Sequence, residues 1–300
     1  MRMLLTGKNG QVGFELQRAL SPLGELIAMD RRECDLEDHA ALRAVVRKTK
    51  PDILVNAAAY TAVDRAESEP AKAMAVNAVA PGILGEEAAR LGALVIHYST
   101  DYVFEGGGET PHRETDPTGP QSVYGSSKLA GEEALARSGA RHLIFRTSWV
   151  FGAHGTNFLK TMLRLAAERE TLSVVADQAG APTSAALIAD VSAHAIRQAL
   201  GNPASAESGV YQLAAAGETT WHGYACHVIE AARRAGRPVR VAPGAIRPIT
   251  TAEFPAAARR PANSRLDTQK LHRTFGLTLP DWRRGVDHVL QTIGCHHDSA

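Results

Sequence analysis

The chain has 300 residues, 44% hydrophobic and 22% charged, with a formal net charge of +1. That length suits one large domain or two intimately joined ones with a sizeable core. The near-neutral charge offers no field to collect nucleic acid or an anionic membrane surface.

Cys34, Cys226 and Cys295 are odd in number and lack metal-ligand spacing, which fits a reducing compartment. The apolar opening Met3-Leu4-Leu5 reaches Gly7 almost at once, too short for a signal-peptide core. No run approaches the roughly 18 apolar residues of a membrane span, so a cytoplasmic protein is expected.

Short apolar runs alternate with helical patterns through the first half, as in a parallel sheet covered on both faces. Strands are expected at 1–6, 25–29, 52–56, 94–98 and 141–147, with helices near 10–20, 37–48, 71–91 and 122–138. Pro51 opens the third strand, where a missing ladder donor is tolerated. Such a series closes as an α/β doubly wound, Rossmann-type parallel sheet.

Gly7-Lys8-Asn9-Gly10-Gln11-Val12-Gly13 follows the first strand and opens the first helix. Glycines there permit a tight turn and close backbone approach, and the helix N-terminus offers N–H donors and a positive dipole to a phosphate. The spacing G-x-x-G-x-x-G points to the short-chain reductase type of dinucleotide site. Asp30, at the end of the second strand, stands where a carboxylate would bind the adenosine ribose hydroxyls and favours NADH. Arg31 and Arg32 beside it suit a 2′-phosphate or a solvated loop, so the cofactor is read as NADPH or NADH. Asp35-Leu36 flanks the adenine or begins the next helix, with Asp35 as its cap. Asn56-Ala57-Ala58-Ala59-Tyr60 puts small residues where a strand must lie close to a flat ligand.

Ser99-Thr100-Asp101 ends the fourth strand, at the carboxyl edge where open α/β sheets bind ligands. Thr100 would donate to a substrate carbonyl, and Asp101 would bind a sugar hydroxyl or cap the turn before Tyr102. Tyr124 and Lys128 are four apart on a helix and share a face. A phenol near pKa 10 needs a nearby cation to favour the phenolate; Lys128 supplies one and can also hold the nicotinamide ribose. Hydride from a nicotinamide, a proton from Tyr124, polarisation by Thr100 and tuning by Lys128 make a consistent oxidoreductase site.

After Trp149 the pattern becomes irregular. Helices are expected at 158–168, 187–199, 221–235 and 282–293, short strands near 173–176 and 209–213, and an ordered loop over 241–261. A smaller lobe built on the first domain is the expected form, with residues 1–150 as the nucleotide-binding domain, 151–300 as the substrate lobe and an interleaved boundary. Trp149 offers a sugar or thymine an aromatic face, or serves as a core aromatic at the junction.

These motifs resemble the extended short-chain dehydrogenase/reductases and, within them, the dTDP-4-dehydrorhamnose reductase family, over almost the full chain. The resemblance rests on Gly7–Gly13, the block Asn56–Asp64, Ser99-Thr100-Asp101-Tyr102-Val103-Phe104, Tyr124–Leu129, Arg146–Val150, Asp177-Gln178 with Pro182-Thr183, and Arg260–Ser264. It implies reduction of the C4 keto group of dTDP-4-dehydro-L-rhamnose to dTDP-L-rhamnose. Carried over, cofactor contacts fall on Gly7, Gly10, Gln11, Val12, Gly13, Asp30, Asp35, Leu36, Ala59, Tyr60, Thr61, Tyr124 and Lys128. Substrate contacts fall on Thr100, Asp101 and Trp149. Arg259 and Arg260 would meet the substrate pyrophosphate or lie in a solvated loop.

Family members often form Mg²⁺-bridged dimers on carboxylates. No compact carboxylate cluster is found, although Glu15 and Asp190 stand in suitable regions, so no metal is assigned and a monomer or homodimer is expected. The histidines, including His97, His112, His154 and His296-His297, lack ligand spacing and receive no role. Two other functions fit part of the pattern. One is a sister nucleotide-sugar 4-keto reductase or epimerase; the other is a regulatory subunit resembling the beta subunit of methionine adenosyltransferase, against which Thr100, Tyr124 and Lys128 together argue.

Overall fold

A computed structural model describes residues 1–202 and 207–294; Cys295, His296 and His297 lie outside the described residues. Elements follow in chain order as β1 (Arg2–Thr6), α1 (Gln11–Leu20), β2 (Glu25–Met29), α2 (His39–Thr49) and β3 (Ile53–Asn56). Next come the short α3 (Val63–Ala66) and α4 (Pro70–Met74), then α5 (Ala80–Leu91), β4 (Leu94–Thr100), α6 (Val123–Arg137) and β5 (Arg141–Thr147).

The expected helix over 71–91 is interrupted by a π-helical turn at Ala75–Val79 between α4 and α5. Asn77 in that turn accepts from the Tyr60 backbone N–H at 2.8 Å and donates to the Tyr60 carbonyl and the Ser127 hydroxyl, each at 3.0 Å. The wider turn thus ties the loop after β3 to α6, a placement typical of π segments beside functional sites.

The second half supplies β6 (Val150–Phe151), α7 (Phe158–Glu168), β7 (Leu172–Val175), β8 (Ala179–Gly180), β9 (Thr183–Ser184) and α8 (Ala185–Gly201). It ends with β10 (Gly209–Gln212), β11 (Thr219–Thr220), α9 (Trp221–Arg234), β12 (Ile246–Ile249), α10 (Gln269–Phe275) and α11 (Trp282–Gly294). The stretch expected to be loop over 241–261 therefore contains a strand, β12, paired parallel to β7.

Six strands form one parallel sheet in the order β10-β5-β4-β3-β1-β2. The order reverses between β1 and β3, and their carboxyl ends open the crevice where such sheets bind ligands. On one face, Leu16 and Leu20 of α1 meet Ile188 and Ile196 of α8 and Leu271 of α10. On the other, Leu42 and Val46 of α2, Leu84 of α5 and Leu135 of α6 cover Leu4, Leu54, Val95 and Ile144. A separate core gathers Leu159 and Met162 of α7, Tyr224 and Val228 of α9, and Val286 and Leu290 of α11. The division at residue 150 is thus crossed repeatedly. After β5 the chain builds part of the second core, then returns to the sheet with α8, β10 and α10, which pack chiefly on the sheet, although Leu187 of α8 also touches the second core.

Candidate active site

The glycine turn is held by backbone geometry. Gly7 adopts φ +80°, and a Cβ there would lie 2.7 Å from the Ala58 nitrogen. A Cβ on Gly13 would lie 2.0 Å from the Gly7 carbonyl oxygen, so α1 can start against the turn only with glycine in both places. Gly10 caps α1 without a side-chain hydrogen bond, leaving the first N–H groups of the helix directed at the cleft. The cleft, of about 840 Å³, is lined by all the expected catalytic, cofactor and substrate residues except Gly13, which packs behind the turn; Arg32, Arg259 and Arg260 do not line it.

Asp30 follows β2 and accepts from the backbone N–H groups of Arg32 at 2.9 Å and Glu33 at 3.3 Å. The Arg32 N–H is the largest influence holding the carboxyl below the ordinary aspartate range. Asp35 accepts from Glu37 N–H at 3.0 Å and pairs with Arg31, whose guanidinium also meets Glu37. Asp38, not Asp35, caps α2. Arg31 lines the cleft and Arg32 does not.

At the other end, α6 carries Tyr124 and Lys128. Ser122 caps the helix by accepting from Gly125 N–H at 3.1 Å. A Cβ on Gly125 would lie 2.3 Å from the Tyr102 carbonyl oxygen, so the glycine inside Tyr124–Lys128 lets the helix lie against the segment that follows Thr100. Burial pushes the Tyr124 phenol up to about 12, with the Thr100 hydroxyl pulling the other way. Burial brings the Lys128 ammonium down to about 8. Its Nζ donates to the Tyr98 carbonyl at 2.6 Å and lies 3.2 Å from His97 Nε2. The ammonium is thus engaged by the sheet beneath α6 rather than hydrogen-bonded to the phenol.

Thr100 donates to Asp101 Oδ1 at 3.1 Å and accepts from Tyr102 N–H at 3.2 Å. Asp101 is 2% exposed, and burial pushes its carboxyl up to about 6. Thr100, rather than Asp101, caps the turn at Tyr102. Trp149 adopts φ +48°, a left-handed conformation that costs about 1 kcal/mol for a bulky residue. Its indole stacks on Trp221 with centroids 3.8 Å apart, and Gly180 packs against its ring. One face of Trp149 is therefore already covered by protein.

Trp149, Trp221 and Tyr102 also line a second cavity of about 880 Å³ with Phe158, Arg259 and Arg260. Arg260 is engaged by Asp64 at 2.6 Å and Arg259 by Gln121 at 3.2 Å. Neither Trp221 nor Tyr102 was expected at the site: nothing local marks Trp221, and Tyr102 lies in the Ser99–Phe104 block without a role of its own, although it meets the Tyr124 ring edge-on at 5.5 Å. Glu15 and Asp190 both pair with Arg18, and no metal-binding group of three His, Cys, Asp or Glu residues occurs among the described residues. Cys34 and Cys226 are free, and no described helix is long and apolar enough to cross a membrane.

The family model described as RmlD substrate binding domain matches residues 1–295. The chain is 54% identical to dTDP-4-dehydrorhamnose reductase of Shigella flexneri over 297 residues, 98% of each chain. The chain belongs to the dTDP-4-dehydrorhamnose reductase family. A Burkholderia thailandensis member is 51% identical over 95% of this chain and 97% of its own. Among solved members of the family, the Bacillus anthracis reductase in complex with NADP superposes with a TM-score of 0.88 at 33% identity, covering 97% of this chain and 99% of that one. The Clostridium acetobutylicum reductase gives 0.89 at 32% identity, covering 98% and 100%.

Proposed function

We propose that the chain reduces the C4 keto group of dTDP-4-dehydro-L-rhamnose to dTDP-L-rhamnose with NADPH or NADH. The observation that carries this reading is the Tyr124 phenol beside the Thr100 hydroxyl, in the same cleft as the glycine turn. The turn fits a dinucleotide, since side chains at Gly7 and Gly13 would fill the space its backbone needs. Gly7, Gly10, Gln11 and Val12 receive the pyrophosphate, and Asp30, Asp35 and Leu36 take the adenosine. Ala59, Tyr60 and Thr61 border the rest of the cofactor. The nicotinamide, when bound, supplies the hydride.

Tyr124 donates its proton to the developing alkoxide, and Thr100 polarises the carbonyl from the side. Lys128 holds positive charge near the phenolate that remains. Asp101 and Trp149 orient the sugar, and the second cavity takes the nucleotide, with Arg259 and Arg260 beside the pyrophosphate. On this reading residues 1–150 chiefly serve the cofactor and the later segments the substrate. A cytoplasmic location, a monomer or homodimer, and no nucleic-acid partner belong to the same proposal.

The test is oxidation of NADPH and of NADH with dTDP-4-dehydro-L-rhamnose made freshly from dTDP-glucose by a dehydratase and a 3,5-epimerase. Turnover that requires the epimerase and yields dTDP-L-rhamnose is expected. Cofactor binding without turnover, with no partner protein present, would move the reading to a sister reductase or a regulatory subunit.

A further inference from the structure

Thr6, Asn56 and His97 are register neighbours on β1, β3 and β4. Residues level with one another in a parallel sheet point to the same face, here the face covered by α2, α5 and α6. Their side chains form a buried row: Thr6 donates its hydroxyl to Asn56 Oδ1 at 2.7 Å, and Asn56 Nδ2 lies 3.1 Å from His97 Nδ1. The row ends at Lys128, with His97 Nε2 3.2 Å from Nζ. All four residues are at most 2% exposed.

The donors and acceptors of this row are interdependent. An ammonium has only donors, so next to it Nε2 must accept, and the ring proton must sit on Nδ1. That N–H then requires an acceptor, and the NH₂ placed opposite it cannot be one; exchanging the Asn56 amide oxygen and nitrogen turns the carbonyl to the ring and the NH₂ to Thr6 Oγ1. The opposite arrangement would set a ring N–H against an ammonium in a buried site.

We propose that His97 is a positioning residue for Lys128: fixed by Asn56 with its proton on Nδ1, it accepts from the ammonium and, with the Tyr98 carbonyl taking a second N–H, leaves the remaining donor for the cleft. The row ends in the sheet at Thr6, so it carries no proton to solvent; it sets charge and direction. The ring also stays neutral, because burial and the Lys128 charge hold it well below its ordinary range. The charged and titratable groups that face this site are Lys128 and Glu132 from α6 and His142 from β5; Glu132 is paired with Arg146. This inference rests on the proposed reductase reading only for the consequence in catalysis.

Nitrogen-15 spectra of histidine-labelled full-length protein, assigned by the signal lost in His97→Gln, read the ring directly. A neutral ring protonated on Nδ1 is expected with or without ligands, and a ring protonated on Nε2, or an imidazolium, would overturn the proposal. In turnover, His97→Leu should lower kcat about tenfold, with little change in the KM for the sugar and an alkaline limb moved to lower pH. His97→Gln, which keeps an acceptor, should restore most of the loss. Equal behaviour of the two variants would also overturn it. If the ring shows the expected tautomer and no sugar is reduced, the reductase reading fails and the positioning stands.

Discussion

Tyr124 and Lys128 respond to burial in opposite directions for a single reason. Removing water penalises whichever form is charged, so the phenol rises to about 12 and the ammonium falls to about 8. A reductase needs the phenol protonated at the start, and burial secures that. Tyr124→Phe should therefore lower kcat by about three orders of magnitude while NADPH still binds, checked by turnover and by fluorescence titration of the cofactor. Near-normal turnover would remove the proton-donor role. Lys128 carries its charge below about pH 8 and loses it above, so the kcat profile should fall on the alkaline side near that value. A flat profile to pH 10 would show that the ammonium charge is not needed. The spacing of Gly7, Gly10 and Gly13, and of Tyr124 and Lys128, was legible because each set lies within one turn or helix. The partners of Lys128 were not, since Asn56 meets His97 only through the register of β3 on β4, and sequence patterns carry no register between distant strands.

Helix α6 is fastened to the sheet at two levels. Above the reacting end, Lys128 is held by Tyr98 and His97; one turn further, Glu132 receives Arg146 of β5 at 2.6, 2.9 and 3.2 Å, with both side chains 5% exposed. Breaking a buried pair leaves an uncompensated charge and costs about 3–5 kcal/mol. Glu132→Gln should show that loss in urea unfolding and should move the alkaline limb of kcat down, because Glu132 favours the charged form of Lys128. Stability lost without movement of the limb would separate the two roles. On the same face, α5 presents Glu87 to Arg47 and Arg43 of α2 and to its own Arg90. Hydrogen bonds from Arg47 lead in holding this carboxyl down at about 2. A depressed carboxyl stabilises the fold above its unfolded value near 4.5 and ceases to do so as pH falls toward 2. Glu87→Gln should flatten that acid limb of the unfolding midpoint; an unchanged limb would assign it to other carboxylates. The interruption at Ala75–Val79 was not legible, since the run 71–91 reads as one continuous helix and only the Asn77 contacts explain the extra residue.

At the scale of the molecule, the two hydrophobic cores share one chain that leaves the sheet after β5 and comes back. Alternating patterns made the first five strands readable, whereas β10 offers only Gly209–Gln212, too short to reveal on its own that it completes the same sheet. A fragment ending at residue 150 would lack α8, which covers α1, and β10, which covers the edge of β5. It is expected to be aggregated or to lack a cooperative unfolding transition, measured by size-exclusion chromatography and thermal denaturation; a monomeric fragment with a sharp transition would show that the first five strands suffice.

That return has a further consequence during synthesis. Ribosomes add about 5–20 residues per second, so the edge of β5 and the apolar side of α1 wait several seconds for their covers to emerge. Over that interval the nascent chain exposes a strand edge able to pair with a neighbour. Chaperone demand in the cell should therefore peak between completion of β5 and emergence of β10, rather than at release of the finished chain.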